Sequence, residues 1–231
     1  DSTTYEMMRE RIRVLMTPAS ESPLQYYQDR TLDEKSRDIP RLYGKALAHI
    51  YANQSTAAIQ ILSNLQAQHP TVMQIHTALG QAYLANHQDP VAITTLERAN
   101  ALFPRNVPVT VRYAEALLQA GNSKLAHAVL LDLFNNVLPS SDQMKLIAKA
   151  ANLAGESAEA YYYMTEYYVM NDELPLAVTQ LQMALSVPEL TSIQRARFQA
   201  RLGELQEIIR TNKRKYVEQV EGNNRAPRLS T

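Results

Sequence analysis

Five histidines, a scatter of serines and equal numbers of acidic and basic residues are what this chain offers for chemistry. A zinc site on a helix needs two histidines at i and i+4 with a carboxylate nearby. His49, His69, His76, His87 and His127 give no such pair, and none is followed by glutamate. They read as ordinary surface or groove histidines. Cysteine is absent, which removes disulfides and Cys-ligated zinc. No G-x-S-x-G elbow presents a nucleophilic serine, and Asn122-Ser123 and Glu156-Ser157 sit where helices should start. Carboxylates such as Asp132 and Glu115 carry no mark of a split acid and base pair. No catalytic residue, metal ligand or cofactor contact is therefore assigned, and the chain reads as non-enzymatic. Its 23 basic and 23 acidic residues cancel, which argues against nucleic acid as the main partner. No stretch approaches the roughly 18–20 apolar residues of a membrane span.

The informative pattern is one of spacing. Pro70 and Pro104 are 34 residues apart, and each closes a similar run; Pro139 falls one residue off the next step. Ser55, Asp89, Ser123, Ser157 and Thr191 recur at 34 residues. All are residue types that cap helix N-termini through a side-chain oxygen. Pro90 follows Asp89 at a position where a missing N–H is harmless. Gly121 and Gly155 lie two residues before their caps, where the preceding helix must end. Ala58, Ala92, Ala126 and Ala160 share the same interval, and a small side chain there lets two helices approach. Apolar residues follow at Leu62 and Leu65, Leu96 and Ala99, Leu130 and Leu133.

These marks predict helix pairs at about 39–52 and 56–68, 73–86 and 90–102, 107–119 and 124–136, 141–154 and 158–170, and 174–187 and 192–215. The connections are short, so neighbours should be antiparallel. An earlier pair is expected at about 4–16 and 22–34, the first marked by the stripe Tyr5, Met8, Ile12 and Leu15. The expected organisation is a helix pair over 1–37 packing on a solenoid over 38–215, then a flexible tail over 216–231. The tail shows no sustained apolar periodicity. The chain starts at Asp1 with no signal-like segment before it, so a leader or an upstream domain is expected to precede it.

Residues 73–106 resemble the tetratricopeptide motif. Leu79-Gly80, Tyr83, Ala92, Leu96, Ala99 and Pro104 stand at its large–small pair, aromatic, alanine and closing-proline positions. The implied fold class is all-α, a tetratricopeptide-repeat solenoid of antiparallel helix pairs in a right-handed superhelix. The run 158–168 with its five tyrosines, Leu174-Pro175-Leu176-Ala177, Pro188-Glu189-Leu190 and Gln194–Leu202 resembles something narrower. It is similar to the C-terminal repeat domain of bacterial periplasmic zinc metalloproteases, the β-barrel assembly-enhancing group. In that arrangement the helix at 158–170 fits two frames. It is the second helix of one unit by the 34-residue phase, and the first helix of the next by Tyr161, Thr165, Tyr168 and Ala177.

The resemblance implies a protein–protein interaction domain in the periplasm, with the β-barrel assembly machinery, outer-membrane protein substrates and an upstream protease domain as partners. Zinc is implied only for that protease domain, whose H-E-x-x-H motif this chain lacks. A repeat adaptor of another envelope or pilus system stays open as the alternative. The family frame places Tyr43, Leu47 and Ile50, then Thr77, Gln81 and Leu84, then Val111, Glu115 and Leu118, then Lys145 and Lys149 on an inner, partner-facing surface. Tyr162, with Glu166 on the same face, joins them. Arg195, Arg197 and Arg201 read as a solvated basic face over a buried stripe of Phe198, Leu202, Leu205 and Ile209.

Overall fold

A helix can be ended by one residue in the left-handed conformation, whose neighbour's N–H reaches back to an orphan carbonyl. This device recurs at the 34-residue interval. Asn53 (φ 58°), His87 (φ 56°), Gly121 (φ 80°) and Gly155 (φ 90°) hold it. The following N–H groups of Gln54, Gln88, Asn122 and Glu156 donate to the carbonyls of His49, Tyr83, Leu117 and Ala151 at 2.8–2.9 Å. Each turn reverses the chain in a few residues and sets two helices side by side.

The computed structural model describes the backbone of residues 2–18, 20–28 and 38–225, with side chains through 215. Among them the elements are α1 (Ser2–Leu15), α2 (Pro23–Gln28), α3 (Ile39–Tyr51), α4 (Ser55–Gln68), α5 (Met73–Ala85), α6 (Asp89–Leu102), α7 (Val107–Gln119), α8 (Ser123–Phe134), α9 (Ser141–Ala154), α10 (Ser157–Met170), α11 (Leu174–Ser186) and α12 (Ser192–Arg225). The chain is all-helical among the described residues. The helices gather into two compact units, Asp1–Val137 and Leu138–Thr231. The expected second helix at 22–34 is described only as α2, and 29–37 lie outside the described residues. The helix of 192–215 continues to Arg225, across positions read from sequence as tail; 226–231 lie outside the described residues.

Two expectations about the turns are corrected. Ser55, Asp89, Ser123 and Ser157 are not N-caps; each is the first residue of its helix. Gln54, Gln88, Asn122 and Glu156 hold the cap positions without a side-chain cap hydrogen bond. The left-handed residue two places before each helix start has already aimed the chain, so the phase is carried by helix ends. Thr191 does cap α12: its Oγ1 accepts from Gln194 N at 3.2 Å while Gln194 Oε1 accepts from Thr191 N at 3.1 Å. Ser140 and Gln143 make the same reciprocal box at the start of α9.

The second correction concerns pairing. After Gly155 the next left-handed residue is Asp172 (φ 59°), half a period on, and Glu173 N donates to Tyr168 O at 2.8 Å. The α10–α11 turn is thus of the kind that joins two helices within a pair. α11 carries Ala177, Leu181 and Ala184, all wholly buried, where earlier second helices carry Ala58, Leu62 and Leu65 or Ala92, Leu96 and Ala99. Ala46, Gly80, Ala114, Ala148 and Thr165 each stand seven residues before a left-handed turn residue. α10 is therefore the second helix against α9 and the first helix against α11, as its double pattern predicted. α11 pairs with α10 and also packs against α12, as expected, sharing a core with it.

Two cores result. In the first unit, Met7, Val14, Tyr27, Tyr43, Leu47, Leu62, Ile75 and Leu79 belong to one buried cluster. In the second, Ala177, Leu181, Phe198 and Leu205 form another, with Tyr161, Tyr162 and Tyr168 packed against it. His76 is buried rather than at the surface. Its Nε2 donates to Pro70 O at 2.7 Å, its Nδ1 accepts from Gln66 at 2.9 Å, and its ring meets the edge of Phe103. It ties the α4–α5 turn to α6.

Left-handed backbone strains any residue with a Cβ, and only glycine escapes. His87→Gly is therefore expected to stabilise the chain by about 1 kcal/mol, and Gly121→Ala to destabilise it by a similar amount. Urea unfolding of the two variants checks this; a loss of stability in His87→Gly would show that its side chain does more than the strain undoes.

Candidate functional site

The first helices of the pairs place their inner residues in register. Tyr43, Thr77 and Val111 are 34 apart, as are Leu47, Gln81 and Glu115, and Ile50, Leu84 and Leu118. On α5 and α7 this row is partly open: Gln81, Leu84, Val111, Glu115 and Leu118 are half-buried, while Thr77 is buried. On α3 it is not. Tyr43 and Leu47, expected on an open inner face, are only 1% and 2% exposed. They share the core with Met7 and Val14 of α1, and the Tyr43 hydroxyl accepts from Arg11 at 3.4 Å. Burial holds the Tyr43 hydroxyl above the usual tyrosine range, against the opposing pull of Arg11.

α1 reaches this position by burying an unexpected face. The stripe Tyr5, Met8, Ile12 and Leu15 predicted the helix, yet those residues are exposed and Met7, Glu10 and Val14 face the core. A buried carboxylate is tolerated only when hydrogen-bonded and paired. Glu10 is 2% exposed. It accepts from the Tyr27 hydroxyl at 2.7 Å and forms a short ion pair with Arg13. Burial, and then the Glu10 carboxylate, push the Tyr27 hydroxyl well above its ordinary range. Arg13 lies over the Tyr26 ring at 4.4 Å. Gly44 of α3 is what allows this approach, since a Cβ there would sit 2.9 Å from that of Glu10.

Between α1, α3, α5 and α7 remains a hollow of about 200 Å³. Its walls are Met8, Arg11, Tyr43, Met73, Gln74, Thr77, Gln81, Pro108, Val111 and Arg112. Thr77 donates back to Gln74 O at 3.0 Å, and Arg112 pairs with Glu115 at 2.7 Å. Of the residues singled out from sequence, Tyr43, Thr77, Gln81 and Val111 meet here. Met8 and Arg11 were missed, because α1 was given no part in the inner face.

The second unit holds the rest. Lys149 is exposed. Lys145 is also exposed, with its ammonium 4.3 Å from the centre of the Tyr167 ring, and Tyr167 raises its pKa. Tyr162 and Glu166, expected to face a partner, are engaged by α12. Tyr162 stacks on Phe198 with ring centres 5.2 Å apart, and Arg201 pairs with Glu166 at 2.7 Å. Arg197 pairs with Glu159 at 2.6 Å and lies over the Tyr162 ring at 4.5 Å. Arg197 and Arg201 are thus not a solvated basic face; they meet carboxylates on α10. The hydrogen bond to Glu166 holds Arg201 protonated far above any working pH, while burial pushes the Tyr163 hydroxyl up to about 12.

Among the described residues, no group of three or more His, Cys, Asp or Glu could hold a metal ion, and no helix is long and apolar enough to cross a membrane. No protein-family profile matches the chain. It is 28% identical over 167 residues to the Beta-barrel assembly-enhancing protease of Escherichia coli (strain K12), a match covering 72% of this chain. The chain spans about a third of that relative's length, 34%. Among solved structures it is similar to MamA AMB-1, with 17% identity, 66% of this chain and 94% of that one covered, and a TM-score of 0.52. A thermophilic TPR protein of Thermus thermophilus is 21% identical, with 77% and 87% covered and a TM-score of 0.44. At 17% identity the likeness to MamA AMB-1 speaks to the fold alone.

Proposed function

We propose that this chain is the partner-recognition domain of a periplasmic protease of the β-barrel assembly-enhancing kind, and that it holds proteins on the open inner face of α5 and α7. The partners are components of the outer-membrane β-barrel assembly machinery or its protein substrates. The 28% identity to the Beta-barrel assembly-enhancing protease over 167 residues carries this reading. The geometry fits it: α5 and α7 present Gln81, Leu84, Glu115 and Leu118, half-buried and in register, which is how repeat pairs offer an extended binding surface. Zinc and the hydrolytic step belong to a protease domain carrying H-E-x-x-H, a motif this chain does not contain.

The test is co-purification from a Gram-negative periplasm with a photo-crosslinking residue at Gln81. A β-barrel assembly component or an outer-membrane protein is expected in the crosslinked product. Leu118→Arg should remove it, because a few central residues dominate an interface, while Ile208→Arg on the exposed side of α12 should not. Recovery of neither class of protein sinks the proposal.

A further inference from the structure

We infer that the outward side of α1 docks an amphipathic helix of a protein partner, one that carries acidic residues at both edges of its own apolar stripe. This inference and the reading of the inner face of α5 and α7 do not depend on each other. The apolar stripe of a helix belongs in a core. Yet Tyr5, Met8, Ile12 and Leu15 of α1, with Met16 after them, are between 42% and 76% exposed. They form one strip about 17 Å long, or about three turns. A continuous apolar strip marks a contact surface, whereas scattered exposed apolar residues do not. The rotation of α1 that leaves the strip outside is fixed by its other side. There Glu10 is held by Tyr27 and Arg13, Met7 and Val14 enter the core, and Gly44 leaves the space for Glu10. The strip therefore waits for a partner without α1 having to turn.

Charge selects the partner. Arg9, one turn after Tyr5, stands at one edge of the strip, and Arg11, one turn before Leu15, at the other. The acids of α1, Glu6 and Glu10, lie on the far side, in a pocket with Asp38, Pro40 and Arg41. Arg9 borders that pocket too, but Glu10, 3.8 Å from it, is already paired with Arg13. Arg11 reaches the Tyr43 hydroxyl at 3.4 Å, an uncharged group. Charges at the edges of a helix pair set partner choice, and two basic edges fit two acidic ones. A second copy fits poorly, since two α1 helices side by side set arginine against arginine in either orientation. A lipid surface is met by clusters of about 4–8 basic residues, and two arginines fall short of that.

The probe is a labelled peptide of about 18 residues, alanine-rich and helical in isolation, with leucines along one side and glutamates at both edges. It is titrated against the whole chain by fluorescence anisotropy at low salt, beside a twin with lysines in place of the glutamates. The acid-edged peptide should bind at least about tenfold more tightly than its twin. Ile12→Glu should weaken it by at least about tenfold, and Arg9→Gln combined with Arg11→Gln should bring the two peptides together. Met8 and Arg11 also wall the hollow, so Ile12, which does not, carries the test; it is exposed and its replacement disturbs no core. Equal affinities for the two peptides, or binding indifferent to Ile12→Glu, overturn the inference. So does sedimentation that shows a dimer which Ile12→Glu makes monomeric, since the strip then serves a second copy. Capture of the chain, but not of Ile12→Glu, by vesicles of phosphatidylglycerol and phosphatidylethanolamine with neither peptide bound overturns it in favour of lipid. None of these outcomes touches the crosslink from Gln81, so the proposed function fails or stands separately.

Discussion

Gly80→Val is expected to destabilise the first unit by about 2–4 kcal/mol, the sum of overpacking and β-branching in a helix against a gain in propensity over glycine. A Cβ at residue 80 would fall 2.5 Å from both Cγ and Cδ2 of Leu96 and 2.7 Å from its Cδ1. Leu96 is wholly buried and has no open side to swing toward, so the helices must part. That loss is a large share of the 5–15 kcal/mol that holds an ordinary domain. Leu96→Ala alone should lose about 2–5 kcal/mol by leaving a cavity. The double variant should lose less than the sum, because the valine methyls enter the space that leucine vacates. Denaturant midpoints for the three variants check this. Additive losses, or an unchanged midpoint for Gly80→Val, would show that α5 and α6 are not held at this contact.

In the second unit the largest effect is expected from Phe198→Ala, about 3–5 kcal/mol from the cavity it leaves. Phe198 is wholly buried, with its ring stacked on Tyr162 at an interplanar angle of 21°. It is the apolar peg by which the start of α12 seats on its unit, with Leu205 two turns on. The two ion pairs nearby look stronger and should matter less. Arg197 is 45% exposed and water screens its attraction to Glu159, so Arg197→Gln should cost no more than about 1 kcal/mol. Limited proteolysis separates the two contributions. Cleavage within 192–215 should rise sharply for Phe198→Ala, little for Arg197→Gln, and be nearly independent of salt. Strong salt dependence would mean that charge, not the aromatic peg, seats α12.

The repeat was legible in the sequence because its marks are packing residues. Ala58, Ala92 and Ala126 are small where helices touch, and no other physical demand competes at those sites. The turn device was half legible. Gly121 and Gly155 announce a left-handed residue, whereas Asn53, His87 and Asp172 hold the same conformation with a Cβ, and their types, though enriched there, are a weaker mark than glycine. Serines and aspartate two places on drew the attention as caps, when the backbone had already turned. The inner face was misjudged at α3 for a similar reason. Glu10 looks like a solvent residue, and its burial becomes tolerable only once Arg13 and Tyr27 are known to meet it. At Tyr162 and Glu166 the face was identified but its occupant was not, since Arg197 and Arg201 could pair with α10 only once α12 was placed there.

The helix that serves two pairs bears on how such a chain can change length. Between Asn53 and Gly155 the turn residues recur every 34 positions. A gene duplication or deletion of that size there adds or removes one whole pair and leaves every other contact in phase, so repeat number can drift at little cost to folding. From Gly155 to Asp172 the interval is halved. An insertion of 34 residues inside it gives α10 a new neighbour on one side only, and strands either α9 or α11 with an uncovered apolar face. The stretch from α9 onward is thus frozen in length, while the pairs before it remain a region where the chain can grow or shrink.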